Sequence, residues 1–207
     1  MKLTEEKLKQ LIKEVLKEGM KTVTDLPSHV YIAIRNYGSS TIEVFYSDRE
    51  GFPLSYVGDS MPYGQISMDI KTQMADDFPC MDAFMVGYSD AAKGWGPLLY
   101  DVCIEVATML AGGLVSDRTI VSPEAYRVWD IYNTRRGDVK KMQLDDEANT
   151  LTPDIEEDNC LQNVAFQYAD EKGISWNETP VSKLYRKEPT RIKELKAAGR
   201  LINNIQI

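Results

Sequence analysis

The segment from Met85 to Ala107, MVGYSDAAKGWGPLLYDVCIEVA, constrains the fold more than any other stretch of this chain. An apolar run enters Lys93-Gly94-Trp95-Gly96-Pro97, and a helical pattern follows without a spacer. Apolar residues at Leu99, Val102, Cys103, Val106 and Leu110 recur at helical spacing and predict one buried face. A strand turned at once into a helix brings the helix's first N–H groups, which have no intrahelical partner, to the strand's end. Glycines at that turn let a ligand come close to the backbone, so strand, Gly-x-Gly and helix together form an anion site. The same residues also serve as a plain tight turn.

The rest of the chain alternates strand and helix signals. Leu8, Leu11, Ile12, Val15 and Leu16 predict an amphipathic helix over 4–18, capped by Thr4 and ended by Gly19. Val30–Ile34 and Thr41–Tyr46 are rich in β-branched and aromatic residues and read as strands, with Gly38-Ser39-Ser40 as their hairpin turn. Further strands are expected at 54–57, 65–71 and 83–88, with a loop at 76–79. Gly112-Gly113 stops the central helix, and Leu114-Val115 reads as a short strand. Ser122-Pro123-Glu124 is a strong helix start, and that helix runs to about Thr134 with Ala125, Val128, Trp129 and Tyr132 along one side. Val139–Leu144 reads as a strand, and helices are expected over 160–171 and 190–198. Antiparallel strands followed by strand–helix–strand–helix–strand define an α+β domain.

Composition excludes several classes. The 207 residues suffice for one domain, or one domain with extensions. A net charge of −8 argues against general binding to nucleic acid or an anionic membrane. No apolar run approaches a membrane span or a signal-peptide core. Three scattered cysteines, Cys80, Cys103 and Cys160, are odd in number and read as free thiols of a reducing compartment, with Cys103 buried on its helix. His29 is the sole histidine and no Cys-x-x-Cys occurs, which argues against zinc. No Ser-His-Asp set, Walker motif or dinucleotide fingerprint is found. Residues 145–158 hold seven acids and no base, and residues 183–200 hold seven bases; both read as solvated surfaces, the first without EF-hand spacing.

Val86, Gly94, Gly96 and the pair Leu98-Leu99 occur in an order that resembles the acyl-CoA-binding motif of the GNAT N-acyltransferase superfamily. The family's Arg or Gln falls on Ala91, and Pro97 removes one N–H; Lys93 can supply charge in place of the missing Arg. The resemblance covers roughly residues 28–145. It implies a GNAT-like mixed, mostly antiparallel sheet flanked by helices, with the cofactor wedged between two splayed central strands. An N-terminal amphipathic helix or leader over 1–20 and an acidic loop with a helical C-terminal extension over 146–207 would complete the chain. Acetyl-CoA or another acyl-CoA is the implied cofactor, with Val86, Tyr88, Lys93, Gly94, Trp95, Gly96 and Leu98 around it. A small-molecule or protein amine is the implied acceptor. The family's Asn-x-x-Ala-x-x-x-Tyr pattern falls on Ser122, Ala125 and Trp129, so Tyr132, one turn on, becomes the candidate acid for the CoA thiolate. On spacing alone Trp129 and Tyr132 are equally core aromatics.

The segment from Gly94 to Asp146 also looks like uncharacterised GNAT-like proteins of tailed phages and marine bacteria. The N-terminal helix resembles leaders that carry proteins into phage heads, and Leu16-Lys17-Glu18 resembles the cleavage sites of head-maturation proteases. These likenesses imply an alternative: a catalytically inactive structural, packaged or interaction protein, in host cytoplasm or virion, with a homo-oligomer or virion partner through that helix.

Overall fold

The computed structural model describes residues 20–38, 40–54, 62–70, 80–145, 150–160 and 163–206. The helix expected over 4–18, with Leu16-Lys17-Glu18, and the loop expected at 76–79 lie outside these residues, as does most of the strand expected at 54–57. The described chain forms one mixed, mostly antiparallel sheet of eight strands with four helices. Tyr31–Tyr37 (β1) and Thr41–Ser47 (β2) make the expected hairpin, in register from Tyr31↔Ser47 to Tyr37↔Thr41. Gly64–Ile70 (β3) and Phe84–Ala91 (β4) extend it antiparallel. Gly96–Leu110 (α1) then crosses over to Leu114–Val115 (β5), which runs parallel to β4. Pro123–Thr134 (α2) leads to Val139–Gln143 (β6). Ser122 caps α2 as its sequence predicts, its side chain accepting from the Ala125 N–H at 3.2 Å.

The C-terminal third departs from the expected helical extension. After Asn163–Lys172 (α3), Lys183–Lys187 forms β7, and Thr190–Ala197 (α4) leads to Leu201–Asn203 (β8). The sheet order is β6-β7-β5-β4-β3-β2-β1-β8. Strand β7 therefore lies inside the sheet between β5 and β6, and β8 pairs in parallel with β1 at the far edge. The C-terminal third thus adds two strands to the same sheet.

The principal core lies on the face covered by α1. Ile32, Ile34, Val44, Ile66, Met68, Phe84 and Val86 meet Leu98, Leu99, Val102, Cys103 and Val106 there. Every residue from Leu98 to Ala107 is buried, Asp101 and Glu105 included, whereas Leu110 is exposed. The expected one-faced helix is thus a central helix enclosed on all sides, because α2, β7 and α4 cover what would have been its polar face. Trp129 stacks on Tyr185 with centroids 5.0 Å apart and meets Tyr100 edge-on at 5.2 Å.

A smaller core of Cys80, Ala83, Val115, Leu144, Cys160 and Leu184 fills the opposite face. Cys80 and Cys160 are disulfide-bonded across 80 residues, and Cys103 alone is a free, buried thiol. This corrects the expectation of three free thiols: the sheet brings together two cysteines that no local spacing pairs, and the cysteine count no longer speaks for a reducing compartment. Cys80, Met81 and Asp82 beside the bond have φ of 44°, 57° and 55°, a left-handed turn of three non-glycine residues. Gly112 makes room for it, since a Cβ there would lie 1.8 Å from the Met81 carbonyl oxygen.

Candidate functional site at the split between β4 and β5

Strands β4 and β5 pair only at Phe84↔Leu114 and Met85↔Val115. Beyond Met85, β4 continues to Ala91 on β3 alone, so among the described residues the edge that faces β5 has no strand beside it. The register slips between Ser67 and Met68, and Gly87 is the extra residue of a bulge. A Cβ on Gly87 would lie 2.6 Å from Asp69 Oδ2, so a larger residue here would have to displace that carboxylate. The bulge changes the strand's phase. Ser89 comes to face α1, where the Tyr100 hydroxyl donates to its Oγ at 3.1 Å. Tyr88 turns to the other face, 48% exposed, and borders a depression of about 380 Å³ shared with Glu43, Gln65, Ile66 and Ser67.

At the end of β4 the chain makes the Gly-x-Gly turn. Gly94 has φ of +87°, and its carbonyl accepts the Lys21 N–H at 2.9 Å. The Trp95 N–H donates to the Ala92 carbonyl at 3.0 Å, and the Ala92 N–H to the Tyr63 carbonyl at 2.9 Å. Lys93 is exposed. Gly96 opens α1, and a Cβ there would stand 3.4 Å from the Ala91 Cβ, so residues 91 and 96 face each other. Pro97 follows without an N–H. The donors left for an anion are the amides around Gly94, Gly96 and Leu98, at the positive end of a buried 15-residue helix.

The structure brings Lys93, Gly94, Trp95 and Gly96 together with the free end of β4, and it sets other expected residues apart. The Val86 and Leu98 side chains belong to the core, so these two face a ligand with backbone only. Trp95 is half-buried against Tyr46 and Tyr63, with centroids 5.4 and 5.1 Å away, and its carbonyl accepts the Tyr46 hydroxyl at 2.9 Å.

Tyr132 is 1% exposed. Its hydroxyl lies 2.8 Å from Asp101 Oδ1 and 3.0 Å from the Pro97 carbonyl oxygen, so its one proton is held between two acceptors beneath α1. Burial and the Asp101 carboxylate push its pKa well above 10. A thiolate is a weaker base than that phenolate. The core reading of Tyr132 therefore holds, and the acid reading has no geometric support.

The sequence reading misses Asp101 and Glu105 as a pair; two acids four apart in an otherwise apolar helix are the signal for it. Asp101 also accepts from Arg136 Nη2 at 2.8 Å and Arg191 Nε at 3.2 Å. Glu105 is fully buried and ion-paired with Lys187; it accepts the Arg191 and Ile192 N–H groups at 2.9 and 2.8 Å, capping α4. The basic run thus anchors the C-terminal third to α1.

Among the described residues no helix is long and apolar enough to cross a membrane, and no three metal-ligating side chains converge. Compared with known proteins, the chain matches no family model, no curated protein and no solved structure.

Proposed function

We propose that this chain has a GNAT-like fold and binds an acyl-CoA in the split between β4 and β5, moving the acyl group to an amine by direct attack. One observation carries the reading: β4 parts from β5 after two residue pairs and runs on, unpaired on that edge, into the Gly-x-Gly turn and the N-terminus of α1. A pantetheine arm carries two amides, and an extended amide-bearing ligand can hydrogen-bond an open strand edge as an added strand. The amides around Gly94, Gly96 and Leu98 would take the pyrophosphate, with Lys93 adding charge. The Tyr132 hydroxyl already serves two acceptors inside the fold, so in this reading the thiolate would leave to solvent or to a water. A carboxylate acting through water would take the amine proton.

Purified protein with acetyl-CoA and a panel of primary amines, followed by free-thiol release, tests the transfer. Amine-dependent thiol release supports it; release equal to the amine-free rate across the panel contradicts it.

A second reading, a non-catalytic protein on the same fold, draws on the packing of Trp95 against Tyr46 and Tyr63 and on the absence of a basic side chain at Ala91. It predicts no thiol release with any amine, and partner binding that is lost when residues 1–19 are removed.

A further inference from the structure

The loop after β5 buries a cation that no described residue neutralises. Its neighbours are committed elsewhere. The Ser116 hydroxyl donates to the Val181 carbonyl at 3.3 Å. Asp117 Oδ1 accepts from the Thr119 N–H at 2.7 Å, the Thr119 hydroxyl at 2.9 Å and the Ile120 N–H at 3.0 Å. Between them Arg118 is 7% exposed, and its Nε and Nη1 are buried with no acceptor. Among the described residues no ion pair compensates it, and burial depresses its pKa. The Arg118 carbonyl accepts the Val164 N–H at 3.0 Å, so its backbone is tied to the start of α3.

A guanidinium kept for the packing of its stem carries its head to water or to a carbonyl. Arg118 does neither with these two nitrogens. A buried charge without a partner is among the costliest arrangements in a fold. What relieves it is an anion. The planar guanidinium presents N–H groups in the geometry that two oxygens of one carboxylate or phosphate satisfy. Because β4 and β5 are parallel, Arg118 follows β5 at the same end of the sheet toward which β4 carries Tyr88 and the Gly-x-Gly turn.

We propose that Arg118 is the receptor for an anionic group, a carboxylate or a phosphate, of a ligand that enters at the β5 side of the split. The site is distinct from the amides of residues 94–98 and does not depend on acyl transfer.

The test uses the full chain and two probes, succinate and inorganic phosphate, each against sodium chloride at equal ionic strength. Thermal unfolding of the wild type should shift upward saturably with one probe: succinate marks a carboxylate site, phosphate a phosphate site. Arg118→Met keeps the stem's volume and removes the charge. It should unfold without probe at the same temperature as the wild type or higher, and should not respond to either probe. The proposal is overturned if the variant unfolds at lower temperature while neither probe shifts the wild type, which marks a structural guanidinium. It is equally overturned if the probes shift both proteins alike. Should Arg118→Met not fold, the Arg118 Nε–H signal in a ¹⁵N-correlated spectrum of the wild type, assigned with Arg118→Lys, decides: a saturable downfield shift with a probe supports the site, and an unmoved signal overturns it. Acetyl-CoA titration of Arg118→Lys separates this site from the acyltransferase reading, because loss of the probe response with acetyl-CoA behaviour unchanged places the anion elsewhere than the cofactor.

Discussion

Replacing Tyr132 by Phe removes one hydroxyl and nothing else from a buried site. Asp101 keeps Arg136 and Arg191, so the expected loss is about 1 kcal/mol in urea unfolding. Any acyl transfer should fall by less than about threefold, because a general acid lost from the chemistry costs on the order of a hundredfold or more. A hundredfold loss without a stability change would restore Tyr132 as the acid. Lys183 makes a second prediction. Burial lowers its pKa to about 8 from 10.5, while its ammonium donates to Gln143 and Asn177. The unfolded chain then binds more protons than the folded one between these values, so stability rises with pH across that window. Above pH 10 the sign reverses, since burial holds Tyr100 and Tyr126 protonated to about 12 while the unfolded chain gives those protons up. Urea melts of wild type and Lys183→Met at pH 8, 9 and 10 check this: the wild type should gain on the variant, and a constant difference would contradict it. At this scale the sequence spoke through Gly94, Gly96 and Ser122, whose chemistry is local. It was silent on Asp101, Glu105 and Arg118, whose meaning comes from elements that arrive from far along the chain.

Two connections between elements hold the second half of the molecule. The Cys80–Cys160 disulfide closes a long loop and fixes the left-handed turn at Cys80–Asp82, so Cys160→Ser should cost about 2–5 kcal/mol in chemical unfolding. An unchanged midpoint with and without reductant would contradict the bond. The Lys187–Glu105 pair ties β7 and α4 to α1. Lys187→Met leaves Glu105 buried among neutral donors and should cost about 3–5 kcal/mol, whereas Lys193→Met, an exposed neighbour, should cost less than about 0.5. The central helix was legible from its period, and α2 from its start signal. Strand β7 was not, because Lys183-Leu184-Tyr185-Arg186-Lys187 shows its charge more strongly than its alternation. Yet Leu184 and Tyr185 face the two cores, and Lys187 is spent on Glu105.

Charge runs are read as surface because most are; here the fold takes one lysine and two aspartates from them into its interior, Lys187, Asp145 and Asp158. That same choice decides the extent of the domain. With β7 between β5 and β6 and β8 on β1, a fragment ending at residue 145 lacks an internal strand and an edge strand. Residues 20–145 alone should therefore give no cooperative unfolding transition; a sharp one would show that the C-terminal third is an extension after all. The antiparallel half and the strand–helix–strand at its centre were readable because neighbours in sequence are neighbours in space there. The closing of the sheet by the C-terminal third is long-range pairing that periodicity does not encode. Calorimetric titration with acetyl-CoA and CoA tests the proposed acyl-CoA site in the split between β4 and β5 most directly. Saturable binding in the micromolar range is expected, abolished in a Gly96→Glu variant that unfolds at the wild-type temperature. No heat of binding, with a melting temperature unmoved at millimolar CoA, would contradict it.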